Sequence, residues 1–263
     1  DPGSAFYAEY RCDYELWDCP SGVMVYLGCR TDGGVFANKE IRSALTYAID
    51  RNELVKDNYN GFARPTTIAM DPGHPYYSQA LNAKYAYDPV KFINAMSMVK
   101  LPKEPIRLLV NSDDSMRMRL ARNIISMLTE CGLNIVMVEK PNGQFIQDVK
   151  YGKYDLYLGQ TKLSPNMDLT TFFHNEGAIH YGDMNDVTLN ALCQEALANQ
   201  GNYYNLHQQT ADDGRITSIA FLNYAVYADR GLLTNVVPAR DNIFYYDLGK
   251  SLDDVLRVDT IAP

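Results

Sequence analysis

The stretch IRSALTYAIDRNELVKDNYNGFARPTT, residues 41–67, decides how the chain is read. Ile41, Ala44, Leu45, Ala48 and Ile49 recur at i, i+3, i+4, i+7 and i+8, which is one apolar stripe along a helix. Asp50 interrupts the stripe. Its carboxylate can cap a second helix, and Glu53 follows three residues on, as a capping box requires. Leu54 and Val55 open the buried face of that helix, and Gly61 and Pro65 end it and turn the chain. Taken alone, this is an ordinary helical corner.

Outward from the corner, the order of elements gives a fold class. VMVYLGCR (23–30) is a β-rich run, and residues 1–20 lack clear periodicity. Residues 66–87, with Pro72, Gly73, Pro75 and several tyrosines, read as a long irregular loop. Asp88 caps a helix over 87–99 with Pro89 at its first position. Then strand and helix alternate: strand 106–111, helix 115–132, strand 133–139, helix 143–152, strand 154–161. That alternation predicts βαβ units, hence an α/β fold with a mainly parallel central sheet flanked by helices. Helices follow near 168–174, 185–199 and 203–217, then strands over 219–230 and 232–240 and a terminal helix over 251–258.

Composition excludes several functions. The 263 residues suffice for one large domain or two small ones, with 46% hydrophobic and 21% charged residues. A net charge of −8 argues against a nucleic-acid partner, because phosphate binding runs on clustered Lys and Arg. No apolar run approaches a membrane span, and the first residues carry no targeting signal, although the chain could begin downstream of one. The five cysteines are odd in number. Cys12 and Cys19 could close a small disulfide loop or be two unrelated thiols, while Cys131 and Cys193 read as buried small apolar residues. No CxxC, phosphate-binding loop, GxGxxG or nucleophile elbow occurs. His174 and His180 flank a loop without a matching acid or third ligand, so a hydrolase built on them lacks its partners. Asp113-Asp114, Asp212-Asp213 and Asp253-Asp254 read as helix caps and solvated faces. No catalytic residue, metal or cofactor is assigned.

Open α/β sheets bind ligands outside the carboxyl ends of their parallel strands. That rule selects Asn111 and Ser112, Glu139 and Lys140, and Gln160 and Thr161 with the loop KLSPNMDLTTFFHNEGAIHYGD after them. Tyrosines near those ends are the ones suited to ligand contact, among 20 in the chain.

The opening stretch resembles the vRxALxyAIDRxxl motif of family 5 extracellular solute-binding proteins, the dipeptide, oligopeptide and nickel receptors of ABC importers. Arg42, Ala44, Leu45, Tyr47, Ala48, Ile49, Asp50 and Arg51 fit it, and Gly61 and Pro65 fit its loop. VYLGCRTDGGVFANKEIR, AYDPVKFINAM, GKYDLYLGQT and NYYNLHQQTADDGRITSIAFLNYAVYA resemble later segments in order, over about residues 23–258. The resemblance implies a clamp of two α/β lobes closing on a ligand, of which this chain is the second. Residues 1–22 would be a hinge remnant, 23–245 the lobe and 246–263 a segment returning toward the first lobe.

It further implies a binding protein rather than an enzyme. The expected partners are a peptide or small solute, ABC permease subunits and a first lobe of the same polypeptide. Nucleic acid is not among them. The protein would act as a monomer, periplasmic or held at the cell surface as a lipoprotein. A solute-sensing domain of a regulator is the alternative.

The implied ligand residues are Asn111, Ser112, Gln160, Thr161, Leu163, Asn166 and Asp168. The sequence departs from the family there. Many peptide binders carry Trp where Gln160 stands, and an Asp holding the peptide ammonium where Leu163 stands. In place of their Asp-Pro-Asp-like stretch it has Asn166-Met167-Asp168, of which Asp168 alone keeps a carboxylate. Without the acid, the charge-assisted bond to an ammonium is lost.

Overall fold

The computed structural model describes residues 14–179, 181, 184–229, 233–234 and 249–250. Six strands form one sheet: β1 (Tyr14–Cys29), β2 (Ala63–Pro65), β3 (Ile106–Asn111), β4 (Ile135–Lys140), β5 (Leu156–Lys162) and β6 (Ile216–Asp229), in the order β2-β6-β1-β5-β3-β4. β3 pairs in parallel with β4 and β5. β1 is antiparallel to β5 and β6, and β2 is antiparallel to β6. The sheet is therefore mixed, which corrects the expectation of a mainly parallel one. The βαβ pattern covers only the three strands joined by helices. β1 and β6 lie outside that alternation in the chain and are free to run the other way.

Period-2 alternation sends each strand's side chains into two separate cores. Val25, Leu27, Leu108, Val110, Leu156 and Leu158 face one side. Met24, Tyr26, Leu109, Tyr157 and Phe221 face the other. The first face is covered by α1 (Lys39–Ala44), α2 (Arg51–Tyr59), α4 (Pro89–Ser97) and α5 (Ser115–Glu130). The second is covered by α3 (Gln79–Lys84), α6 (Asn142–Lys150), α7 (Thr170–Phe173), α8 (Val187–Ala198) and α9 (Tyr203–Asp213). Tyr26 and Tyr157 meet edge-on in the second core, each lying over its own cross-strand partner glycine, Gly159 and Gly28 respectively. Much of the tyrosine content is thus packing.

Three boundaries differ from the sequence expectation. β1 starts at Tyr14, in a stretch without visible alternation, because it pairs only with β6 there. The supposed loop after β2 contains α3, whose first turn is capped by the Ser78 hydroxyl accepting from the Leu81 amide. α9 stops at Asp213 because Gly214 takes the left-handed conformation at φ 74°, where a Cβ would sit 2.5 Å from the Arg42 carbonyl. Of the expected strand 232–240, β7 (Leu233–Thr234) is described, paired with β8 (Gly249–Lys250). The expected helix 251–258 and the Asp253-Asp254 pair lie outside the described residues, as do Cys12 and hence any pairing of Cys12 with Cys19. Cys131 and Cys193 are buried as expected.

The helical corner works as the sequence suggests. The Asp50 carboxylate accepts from the amides of Asn52 and Glu53 at 3.0 and 3.1 Å. Behind it, Arg51 is buried and donates to the carbonyls of Ser218, Thr46 and Ile49 and to the Thr46 hydroxyl, at 2.7 to 3.1 Å. Burial pushes its pKa down to about 9, which leaves it charged at neutral pH. Arg42, also buried, bonds the Phe36 and Asp213 carbonyls and the Asp213 carboxylate. Arg51→Met should cost about 3 kcal/mol or more, because it strands several buried acceptors at once. Arg51→Lys should cost less. Urea unfolding with an unchanged slope reads both, and a loss under about 1 kcal/mol for Met would show that the acceptors are resatisfied.

Candidate functional site

Strand directions bring four elements to one end of the sheet. Val23 of β1 lies opposite both Lys162 of β5 and Leu222 of β6, and Leu222 lies opposite Ala63 of β2. β3 and β4 finish at that same end. Beyond it, residues 14–20 and 223–229 continue as a two-stranded ribbon, with the Asn223 amide also bonded to the Phe62 carbonyl at 3.1 Å. Where ribbon meets sheet, the register shifts between Pro20 and Val23, Gly22 sits at φ 69°, and the Ser21 hydroxyl donates to the Leu222 carbonyl at 2.6 Å.

Two clefts flank this junction. On the side of the first core, a cleft of about 340 Å³ is lined by Tyr59, Phe62, Met116, Gln160, Leu222 and Tyr224, among others. None of its lining residues is charged. On the other side, a cleft of about 190 Å³ lies between the loop carrying Asp71, Gly73 and His74 and the loop carrying Pro165 and Met167. Arg64 and Asn223 join the two: Arg64 donates from Nη2 to Asp71 at 2.7 Å and from Nε to the Asn223 side chain at 3.2 Å.

The residues selected from sequence divide among three roles. Gln160 lines the larger cleft, and its Oε1 accepts from Arg117 Nε at 3.2 Å. Arg117 is held in turn by Asp114, which also caps α5. Asn111 is buried, bonded to Asn142 and to the Asp113 amide, and the Ser112 amide donates to the Lys140 carbonyl at 2.8 Å. These two build the corner between β3 and α5. Glu139 is exposed on edge strand β4. Thr161, opposite Met24, is half-buried.

Leu163 is turned inward, 2% exposed in the second core, with its amide on the Gly22 carbonyl. Its side chain is therefore not presented to a ligand. Asn166 is exposed, and its carbonyl accepts from the Tyr203 hydroxyl. The half-buried Asp168 carboxylate accepts from the Thr170 amide at 2.8 Å, at the start of α7. His174 Nδ1 accepts from the Glu176 amide, and His180 lies outside the described residues. Among the described residues, no group of three or more His, Cys, Asp or Glu could hold a metal ion.

Phe62, Arg64, Asp71, His74, Leu222 and Tyr224 line the same clefts and are not among the residues selected from sequence. The rule for parallel strands finds the ends of β3, β4 and β5. The same sheet end is also made by the first half of β1 and the second half of β6, which run the other way.

The profile of the bacterial extracellular solute-binding proteins, family 5 (middle), matches residues 7–178, more than half of the chain. The chain belongs to this family. Glutathione-binding protein GsiB of Escherichia coli (strain K12) is 38% identical over 83 residues, which is 32% of this chain and 16% of that protein. A putative peptide binding protein, AppA from Clostridium difficile, superposes with a TM-score of 0.81 at 16% identity, over 95% of this chain and 55% of that one. The oligopeptide-binding protein AppA from Bacillus subtilis, in complex with a nonapeptide, gives 0.74 at 16% identity over the same shares. The chain thus spans about half the length of these solved relatives.

Beneath the 163–168 loop runs an aromatic stack. His74 and Tyr76 pack on Tyr203, and Tyr203 stacks on His207 at 6.0 Å. His207 is 2% exposed, neither ring nitrogen has a hydrogen-bond partner among the described residues, and burial pushes its pKa down to about 3. The unfolded chain takes up this proton below about 6.5, and the folded one not until about 3. Stability from this group is therefore complete above about pH 6.5 and is lost as pH falls toward 3, by up to about 1.4 kcal/mol per pH unit. Urea midpoints taken from pH 7 to pH 4 should fall less steeply for His207→Leu than for the unmodified protein. Parallel slopes would place the acid sensitivity elsewhere.

Proposed function

We propose that the chain is the second ligand-binding lobe of an ABC importer's receptor, capturing a peptide or similar small solute and delivering it to the permease. One observation carries this reading: the ribbon of β1 and β6 leaves the sheet at the end where both clefts open. A clamp needs that arrangement, because the connection to a first lobe must pass beside the ligand. Family membership and the likeness to peptide-binding folds support it, as does the chain's span of about half of those relatives. In this reading residues 1–22 come from the first lobe, 23–245 form the second, and 246–263 return toward the first. Closure bends the chain at Pro20–Val23, where the register shift and Gly22 interrupt the ladder. The protein acts as an extracytoplasmic monomer, periplasmic or anchored as a lipoprotein, and binds its ligand without chemistry on it. The net charge of −8 leaves no role for nucleic acid.

The clefts are one-sided, so ligand contacts from this lobe alone are half a site. Isothermal titration of the 263-residue chain with a mixture of short peptides should give a Kd no tighter than about 1 mM. The polypeptide carrying both lobes should bind at least about a thousandfold more tightly, at about 1 µM. Micromolar binding by the shorter chain would end the half-site reading.

A further inference from the structure

The smaller cleft has a chemical asymmetry that defines what it takes. Both oxygens of Asp71 already hold a bond, one from Arg64 Nη2 at 2.7 Å and one from the Gly73 amide at 2.8 Å. Both ring nitrogens of His74 are also used: Nδ1 accepts from the Tyr76 amide and the ring bonds the Pro165 carbonyl, while burial lowers its pKa and keeps it neutral. The remaining walls include Pro20, Pro75, Pro165 and Met167, which offer no side-chain acceptor.

Arg64 is different. Its Nε and Nη2 are occupied, and Nη1 has no acceptor among the described residues. Nη1 lies against the backbone of Gly73, where a Cβ would come within 2.4 Å of it. Glycine at 73 therefore leaves room for the Nη1 edge in the cleft. Asp18 is the other carboxylate of this network, but it sits on the far end of the Asn223 amide from Arg64 and is exposed, so solvent screens it. The unspent capacity of the cleft is two N–H donors on a cation, walled by apolar rings and a thioether.

We propose that this cleft is a carboxylate-binding subsite, in which Arg64 Nη1 donates to a free carboxylate of the solute. Pro20, Pro75, Pro165 and Met167 hold the carbon atoms beside it. At ~10–15 Å³ for each water-sized sphere, a cleft of about 190 Å³ admits a carboxylate and a short apolar stem. This deepens the receptor reading and rests on it: the ligand class narrows to solutes with a free carboxylate end. Recognition then begins from the anionic end, where Leu163 provides no acid for an ammonium.

The test uses the whole chain, labelled for amide and arginine side-chain NMR, titrated with N-acetylalanine and, separately, with N-acetylalaninamide. N-acetylalanine should shift the Gly73 amide and the Arg64 Nε–H signal saturably. The amide analogue should bind at least about tenfold more weakly, the loss expected for a hydrogen bond to a charged group. Arg64→Gln should lose the carboxylate preference. Because that variant also strips Asp71 of its partner, Gly73→Ala serves as a second: it keeps both charges, while its Cβ, 2.4 Å from the present place of Nη1, displaces that edge. It too should weaken N-acetylalanine by about tenfold. Equal binding of the two probes, or no movement at Gly73 and Arg64, overturns the subsite. Shifts confined to Met116 and Gln160 overturn it while leaving the receptor reading intact, and that reading stands or falls separately on the two-lobe titration.

Discussion

The helical corner and the sheet are joined at a buried cation. Arg51 sits at the seam between the helical corner and β6 with no carboxylate of the described residues hydrogen-bonded or ion-paired to it, and its charge is met by three carbonyls and a hydroxyl. A buried charge left unpaired is very costly, so the acceptors must arrive together. Two come from the turn joining the corner's helices, at Thr46 and Ile49, and one from β6, at Ser218. The guanidinium therefore fixes the angle of the corner and its docking on the sheet at once. The Ala-Ile-Asp-Arg run makes sense in these terms: Ala48 and Ile49 fill the core, Asp50 caps outward, and Arg51 bonds inward.

Once that seam is set, the rest of the site follows by register. Ser218 lies opposite Tyr26, and four residues on, Leu222 lies opposite Val23. Arg51 thus holds β6 one step below the junction where the ladder shifts and the two clefts open. Arg42 anchors the other side of the same corner to the end of α9 through Asp213. Arg215 extends that network to Asp186 at the start of α8. A mixed sheet needs such ties at this rim, because its two long strands are not positioned by βαβ crossovers.

The fold was legible where local chemistry and long-range packing agree. Asp50, Asp88 and Asp114 cap the helices that the sequence assigns to them. The strand–helix alternation from 106 to 162 gave parallel neighbours because each crossover helix is amphipathic and each strand apolar on both faces. Strand direction was not legible for β1 and β6. Their hydrophobic content matches a parallel strand buried on both faces, and only pairing across some 200 residues makes them antiparallel. The rule of parallel strand ends selects Gln160, near the end of β5, whereas Leu222 and Arg64 belong to strands that reach the same edge running the other way.

Polar residues at strand ends have two competing demands, and Asn111 shows which prevails. A chain leaving a strand for a helix exposes amides that need acceptors, and Asn and Asp side chains supply them locally. Asn111, Asp113 and Asp114 are spent in this way, binding the amides of Asp113, Asn142, Met116 and Arg117. Asp168 is spent likewise on Thr170. A group already bonded to backbone has little left to offer a ligand, so the sequence signal for a site and the signal for a turn are the same letters. What remains available at this rim comes from side chains whose own elements need nothing from them: aromatic and aliphatic groups on β6 and α2, and the free edge of one arginine on β2.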